Sequence, residues 1–234
     1  MRPKILTVIP AKGSSRRLQG KNMRLLAGKP LLRHTLDQAQ GSTLVDDLYV
    51  STDSEEIRDY CAATGALVPF LREGEHAADD VHASVPVLDM LERLGGTDRY
   101  SHCVMLLPTA PLRTSADIDA VIRLSVERQT NVVSVCPLGK SLFHLRSLDR
   151  DGCLVPVTPK VRLNLQSQDV PPLYLLNGSV YCAPTGPLLQ ARTFHYGRPL
   201  AHVMQPEASI DIDTQHDLHM AQYFLHPDNR APRA

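Results

Sequence analysis

Short apolar, β-branched runs alternate with helical repeats through the first 135 residues or so of the chain. Ile5–Pro10 (ILTVIP) reads as a buried parallel strand that feeds a loop rich in Gly, Ser and basic residues. The stretch from Pro30 places Leu31, Leu32 and Leu36 near one face and predicts a helix, and Asp47–Thr52 predicts a strand. Asp53-Ser54-Glu55-Glu56 reads as a capping box opening a helix that ends before Gly65. Ala66–Leu71 is a further strand candidate, and Val85–Leu94 carries Leu88, Leu91 and Leu94 at helical spacing. Cys103–Leu107 is strand-like, Ser115–Arg128 aligns Ile118, Val121, Ile122 and Val126 on one helix face, and Asn131–Cys136 makes a fifth strand. Such alternation predicts an α/β domain built on a right-handed, doubly wound, mostly parallel sheet.

The pattern breaks at about residues 138–172, where Pro156, Pro159, Pro171 and Pro172 punctuate short polar strands. A segment this long within a compact domain reads as an insertion serving as a lid or an oligomer contact. Ser179–Ala183, Leu200–Met204 and a helix over Thr214–Leu225 return to the core, so residues 1–225 form one domain and 226–234 a flexible tail.

Composition narrows the class. Hydrophobic residues make up 43% and charged residues 21% of the 234, which excludes a disordered or fibrous chain. Net charge is zero, yet residues 1–36 hold nine Lys or Arg and no Asp or Glu, so the N-terminal segment is an anion site in waiting. Five widely spaced cysteines without a C-x-x-C pair fit reduced thiols in the cytoplasm, and no run approaches the roughly 20 apolar residues of a membrane span.

The loop Pro10–Asn22 follows the first strand, where a doubly wound sheet places its ligand crevice. Gly13, Ser14 and Ser15 let backbone N–H groups approach phosphates, while Lys12, Arg16, Arg17 and Lys21 supply charge for a polyphosphate. The loop is neither a Walker A motif nor a dinucleotide G-x-G-x-x-G. A solvated basic loop and a nucleic-acid contact are the bland alternatives, and the absence of Trp with only four Phe disfavours the second.

In Ser209-Ile-Asp-Ile-Asp-Thr214, alternation sends Asp211 and Asp213 to one side of an extended segment. Two carboxylates beside a polyphosphate loop can hold Mg²⁺, a hard cation that takes one or two carboxylates plus phosphate oxygens. The competing reading makes Asp213 or Thr214 a cap for the last helix, with Thr214-x-x-Asp217 as a box. His216 and His219 are spaced three apart and read as surface residues rather than ligands. The twice proline-fixed Leu106–Arg113 segment places Thr109 and Arg113 at the crevice or serves only as a turn, and Asn177-Gly178 is a strong turn signal with the same ambiguity.

Taken together, four segments resemble the CMP-N-acylneuraminate cytidylyltransferase family. They are P-A-(K/R)-x-x-S…K-N at Pro10–Asn22, V-S-T-D at Val50–Asp53, P-T-(A/S)-P-L-R at Pro108–Arg113, and N-G-(S/A)-x-Y with S-(I/V)-D-I-D at Asn177–Tyr181 and Ser209–Asp213. The resemblance implies a Rossmann-like nucleotidyltransferase sheet, a homodimer whose inserted segment reaches toward its partner, and CMP transfer from CTP to an acidic acceptor with release of pyrophosphate. It implies that Lys12, Arg16 and Lys21 are the catalytic cations and that Ser15 with Arg16 and Lys21 contacts the triphosphate. Ala11, Asn22 and Arg72 match cytidine-recognising positions, Gly13, Ser14 and Pro108 fall with the nucleotide-binding motifs, and Asp211 and Asp213 match the Mg²⁺ ligands.

Departures fall on the acceptor side: Leu107 stands where Gln is common, an H-P-L-K stretch is shortened around Lys140–Phe143, and Ser167-Gln168 replaces Arg-Gln. Lys12 replaces the usual Arg and loses its bidentate fork. The expectation is therefore the family reaction on either a nonulosonic acid of the sialic or pseudaminic type or a small phosphonate, as in the phosphonoformate-type cytidylyltransferases. The rival from another class is a catalytically weak, nucleotide-binding regulatory or scaffold domain, against which the paired aspartates count.

Overall fold

The computed structural model describes residues 4–15, 17–73, 81–139, 145–157, 172–226 and 229. In chain order the elements begin with β1 (Ile5–Pro10), the two-residue strands β2 (Leu25–Leu26) and β3 (Lys29–Pro30), α1 (Leu31–Gln40), β4 (Asp47–Ser51) and α2 (Glu55–Ala63). They continue with α3 (Ser84–Arg93), the single turn α4 (Gly96–Arg99), β5 (His102–Leu106), α5 (Ser115–Arg128) and β6 (Val132–Pro137). The hairpin strands β7 (Arg146–Leu148) and β8 (Leu154–Pro156) precede β9 (Tyr174–Pro184), α6 (Thr185–Ala191), β10 (Leu200–Val203) and α7 (Gln215–Leu225).

Six strands form one sheet in the order β10-β6-β9-β5-β1-β4. The pairs β1/β4, β1/β5 and β10/β6 are parallel, and β9 runs antiparallel between β5 and β6. The pleat divides the core in two. Ile5 and Ile9, Val104 and Leu106, and Val180 and Cys182 face α1, α2 and α5 through Leu36, Ile57 and Val121. The alternate residues Leu6 and Val8, Cys103 and Met105, and Tyr181 and Ala183 face α3 and α6 through Leu88, Leu91 and Leu188. Burial on both faces explains the near-continuous apolar strands, each buried Leu or Ile contributing about 1.5–3 kcal/mol. Among the described residues no helix is long and apolar enough to cross a membrane, and all five cysteines are free, with only Cys153 exposed.

Three local expectations are corrected. Ala66–Leu71 makes only two isolated parallel bridges, Tyr49 with Leu67 and Thr52 with Leu71, because the segment touches the outer edge of β4 without adopting full register. The cap of α2 is Ser54, whose hydroxyl accepts from Ile57 N–H, leaving Asp53 for another task. Asn177-Gly178 is not a turn: both lie inside β9, where the β6 register shifts between Val133 and Val135. Gly178 there has φ +66°, and the Ser134 hydroxyl fills the interrupted ladder by donating to Asn177 Oδ1 and accepting from Val180 N–H. Sequence periodicity also missed α6. Within the expected insertion, residues 140–144 and 158–171 lie outside the described residues, as does most of the expected tail. The described part contains the β7–β8 hairpin, which exposes Leu148 and Leu154 and so is less polar than its composition suggested.

Candidate active site

A third apolar cluster, separate from the sheet core, builds the site. Leu18 from the loop after β1, Leu26, Leu31 from α1, Ile212 from the aspartate segment, and Leu218 and Ala221 from α7 pack together. Burying these six side chains sets the basic loop against Ser209–Asp213 across nearly two hundred residues of sequence.

Hydrogen bonds then fix the loop. Ala11 N–H donates to Ser51 O at 2.8 Å, and the buried Asn22 amide donates to Lys12 O at 2.7 Å, closing the loop on itself. Gly13 N–H donates to Asp53 Oδ1 at 2.7 Å, and a Cβ at Gly13 would lie 2.7 Å from Ser54 Cβ. Gly13 is therefore required by close packing against the start of α2, and its N–H, expected to approach phosphate, is committed to Asp53. Lys12 and Ser15 are half-buried and Ser14 is exposed on the same loop, whereas Arg16 lies outside the described residues.

The two carboxylates occupy different surroundings. Asp213 accepts from Arg17 Nη1 at 2.6 Å and Lys21 Nζ at 3.0 Å. The helix cap does not consume its side chain: Thr214 and Asp217 form the capping box of α7, and Asp213 contributes only its N–H, to Asp217 Oδ2 at 3.1 Å. The capping reading thus falls to Thr214 and Asp217, and the Asp213 carboxylate stays beside the cations. Asp211 opens to solvent on one side and is crowded by protein on the others. Crowding pushes its carboxyl above the ordinary range against the pull of a Thr109 hydrogen bond, and the charge of Asp213 adds to the rise, partly offset by Lys21 and Arg17.

Arg72 marks the other end of the crevice. Its backbone N–H donates to Thr52 O at 2.8 Å, and its side chain is buried, with Nε and Nη2 lacking a hydrogen-bond partner among the described residues. The nearest counter-charge is Asp53 Oδ1 at 3.9 Å, the same oxygen that holds Gly13. Burial lowers the guanidinium pKa and Asp53 partly restores it. A cavity of about 200 Å³ opens beside Arg72, lined also by Phe70, Glu73, Asp89 and Arg93. The Arg93 guanidinium lies over the Phe70 ring, 3.3 Å from its centroid. Buried donors left without an acceptor are costly.

Beneath the aspartates, Pro108 is buried, Ile212 N–H donates to Thr109 O at 2.7 Å, and Asn177 Nδ2 donates to Ser209 Oγ at 2.9 Å. Leu107 is half-buried against Gly178, where a Cβ would meet its Cδ1 at 3.4 Å. His216 and His219 lie exposed on α7, and among the described residues no group of three or more His, Cys, Asp or Glu side chains is arranged to hold a metal. The fold thus links Lys21 to Asp213, Asn22 to the Lys12 carbonyl, and Gly13 through Asp53 to Arg72. Sequence reasoning gave Asp53 only a capping role, although V-S-T-D was visible, and gave none to Phe70 and Arg93, which carried no signal.

Comparison with known proteins shows the family. The family model described as Cytidylyltransferase matches residues 6–137. The chain is similar to the CMP-N,N'-diacetyllegionaminic acid synthase of Legionella pneumophila, at 36% identity over 97% of this chain and 99% of that protein. It is 32% identical to the N-acylneuraminate cytidylyltransferase of Streptococcus agalactiae over 92% of this chain, which spans 51% of that longer relative. In fold it resembles a CMP:2-keto-3-deoxy-manno-octonic acid synthetase solved with CTP, with TM-score 0.70 at 14% identity over 94% of this chain and 97% of the other. The chain therefore belongs to the cytidylyltransferase family and is a nucleotidyltransferase, an enzyme that transfers CMP from CTP.

Proposed function

We propose that the enzyme transfers CMP to the hydroxyl of an acyl-bearing nonulosonic acid, with the triphosphate held by the loop after β1. The observation that carries this reading is the meeting of Arg17 and Lys21 with Asp213 across the crevice: cations for phosphate oxygens adjoin carboxylates for a metal. The acceptor hydroxyl attacks the α-phosphorus in line: its O–H bond breaks with the proton released to solvent, the new P–O bond forms, and the bond to pyrophosphate breaks. Lys12, Arg16 and Lys21 neutralise the phosphate oxygens, with Ser14 and Ser15 lining the same loop.

Asp211 and Asp213 suit Mg²⁺ in donor chemistry: two hard oxygens, one held above its normal pKa by crowding and like charge that a cation relieves. Bound there, Mg²⁺ supplies charge neutralisation on the transferring group. Arg72 suits the base. Cytosine presents adjacent acceptors at O2 and N3, matching the two unpaired guanidinium donors, whereas uracil presents an N3–H donor that would oppose them. Ala11 and Asn22 border this end of the loop.

Of the two acceptor classes the sequence left open, the relatives' names favour the nonulosonic acid over the phosphonate. Leu107 adds an apolar wall suited to acyl or methyl carbons, while the departures at Lys140–Phe143 and Ser167-Gln168 lie outside the described residues. The exposed apolar side chains Leu148, Leu154, Tyr174, Leu175 and Leu176 support the homodimer through the inserted segment, and free cysteines support a cytoplasmic enzyme. Mg²⁺-dependent pyrophosphate release, with CTP, UTP and ATP offered against N,N'-diacetyllegionaminate, N-acetylneuraminate, pseudaminate and phosphonoformate, tests the reaction and acceptor. Sedimentation equilibrium tests the dimer.

A further inference from the structure

Asp53 stands just past the end of β4, between the basic loop and the segment that carries Arg72. On one side Ala11 N–H donates to Ser51 O, and on the other Arg72 N–H donates to Thr52 O, both at 2.8 Å. The backbone leading into Asp53 is thus a wall shared by the two segments. Its carboxylate is not spent on α2, whose cap is the Ser54 hydroxyl. A side chain only 19% exposed is then explained by what else it holds.

It holds its two neighbours differently. Asp53 Oδ1 accepts from Gly13 N–H at 2.7 Å, a full hydrogen bond, whereas the same oxygen lies 3.9 Å from Arg72 Nη2, beyond hydrogen-bond reach yet close enough to compensate its charge. The Arg72 side chain is 5% exposed, and burying a cation is expensive without a counter-charge nearby. Had the carboxylate closed on the guanidinium, Nη2 would be consumed. Tethered to Gly13 instead, Asp53 supports the cation from a distance, and Nε and Nη2 have no hydrogen-bond partner among the described residues. The tether is fixed at its far end as well, because Gly13 packs so closely on the start of α2 that a Cβ there would lie 2.7 Å from Ser54 Cβ.

We propose that Asp53 is a positioning residue for base discrimination: held by the Gly13 N–H, its carboxylate keeps the Arg72 guanidinium in place while leaving the guanidinium donors to the cytosine. This rests on the reading of Arg72 as the cytosine contact.

The test is a double-mutant cycle read by calorimetric titration of CTP and of UTP into the full chain without acceptor, so that binding is measured apart from turnover, with thermal unfolding alongside. The readout is the Kd for UTP divided by the Kd for CTP, which a general loss of stability or of phosphate affinity leaves in place because the two nucleotides share their triphosphate. Asp53→Asn keeps an oxygen for Gly13 N–H and loses the charge; it is expected to lower the ratio at least about fivefold in the wild-type background and to leave it unchanged in the Arg72→Met background. Should Asp53→Asn fail to fold, Asp53→Glu decides: it keeps the charge, but its extra methylene carries the carboxylate onto the guanidinium, and the ratio is expected to fall at least about threefold. A wild-type ratio in the deciding Asp53 variant, with the ratio lowered in Arg72→Met, overturns the inference and leaves the base reading standing. An equal fall in both backgrounds also overturns it, since the carboxylate then acts without Arg72. A wild-type ratio in Arg72→Met removes the base reading, and the inference with it.

Discussion

Lys21 Nζ lies 3.0 Å from Asp213 Oδ1, so a cation assigned to the triphosphate and a carboxylate assigned to the metal are paired with each other before either ligand arrives. Arg17 completes the arrangement at 2.6 Å from the other oxygen. The Arg17 pair is exposed and contributes at most about 1 kcal/mol, while the Lys21 pair is partly buried; the triphosphate can exchange both for its own oxygens and release Asp213 toward Mg²⁺. The two ligands then bind synergistically. Calorimetric titration of Mg²⁺ is expected to show at least about fivefold tighter binding with CTP present than without, a coupling of about 1 kcal/mol. Equal affinities in the two titrations would contradict the exchange.

On the proposed reading, Arg72 carries the base preference in two donors that have no hydrogen-bond partner among the described residues. Replacing it by Met removes both donors and the buried charge, and the ratio of kcat/KM for CTP over UTP is expected to fall at least about tenfold. A ratio that stays at the wild-type value would place base recognition elsewhere.

Gly13→Ala introduces a methyl 2.7 Å from Ser54 Cβ. Relief requires the loop to move away from α2, breaking the Gly13–Asp53 bond that aligns it with Arg72. Overpacking of this kind costs about 1–3 kcal/mol; denaturant unfolding should register it, and KM for CTP should rise.

Much of this was legible in the sequence for a physical reason. Strands such as ILTVIP are buried on both faces and announce themselves by composition, and the α5 and α7 caps use Thr with Asp three residues on, a local code. Asp211, Asp213 and the basic loop were legible because charge in that quantity needs partners. Asn177-Gly178 misled because the same dipeptide serves a turn and a bulge, and only the strand partner β6 decides between them. Asp53 was misread as a cap because its true partner, Gly13 N–H, is 40 residues away. The Phe70–Arg93 stack joins a loop to α3 and leaves no trace in local spacing.

Away from the crevice, Asp119 ties the loop after α1 to α5. Burial raises its carboxyl, but donors from Ser42 and Thr43 more than offset this and hold it below the ordinary 3.8. A carboxylate with a lowered folded pKa stabilises the protein above the unfolded value and loses that contribution as pH falls through the folded one. Asp119→Asn is therefore expected to cost roughly 1 kcal/mol at pH 7, with the gap to wild type closing below about pH 4 in chemical denaturation. A gap of constant size across that range would contradict the assignment.

The most direct test is pyrophosphate release from CTP with N,N'-diacetyllegionaminate, N-acetylneuraminate or pseudaminate as acceptor, in wild type, Asp211→Asn and Asp213→Asn, across Mg²⁺ concentration. The expected result is Mg²⁺-dependent release with at least one of these acids, and at least about a tenfold loss of kcat in each variant, equivalent to about 1.4 kcal/mol of barrier. Release only with a phosphonate, or undiminished Mg²⁺-dependent turnover in both variants, would contradict the assignment of acceptor or of metal ligands respectively.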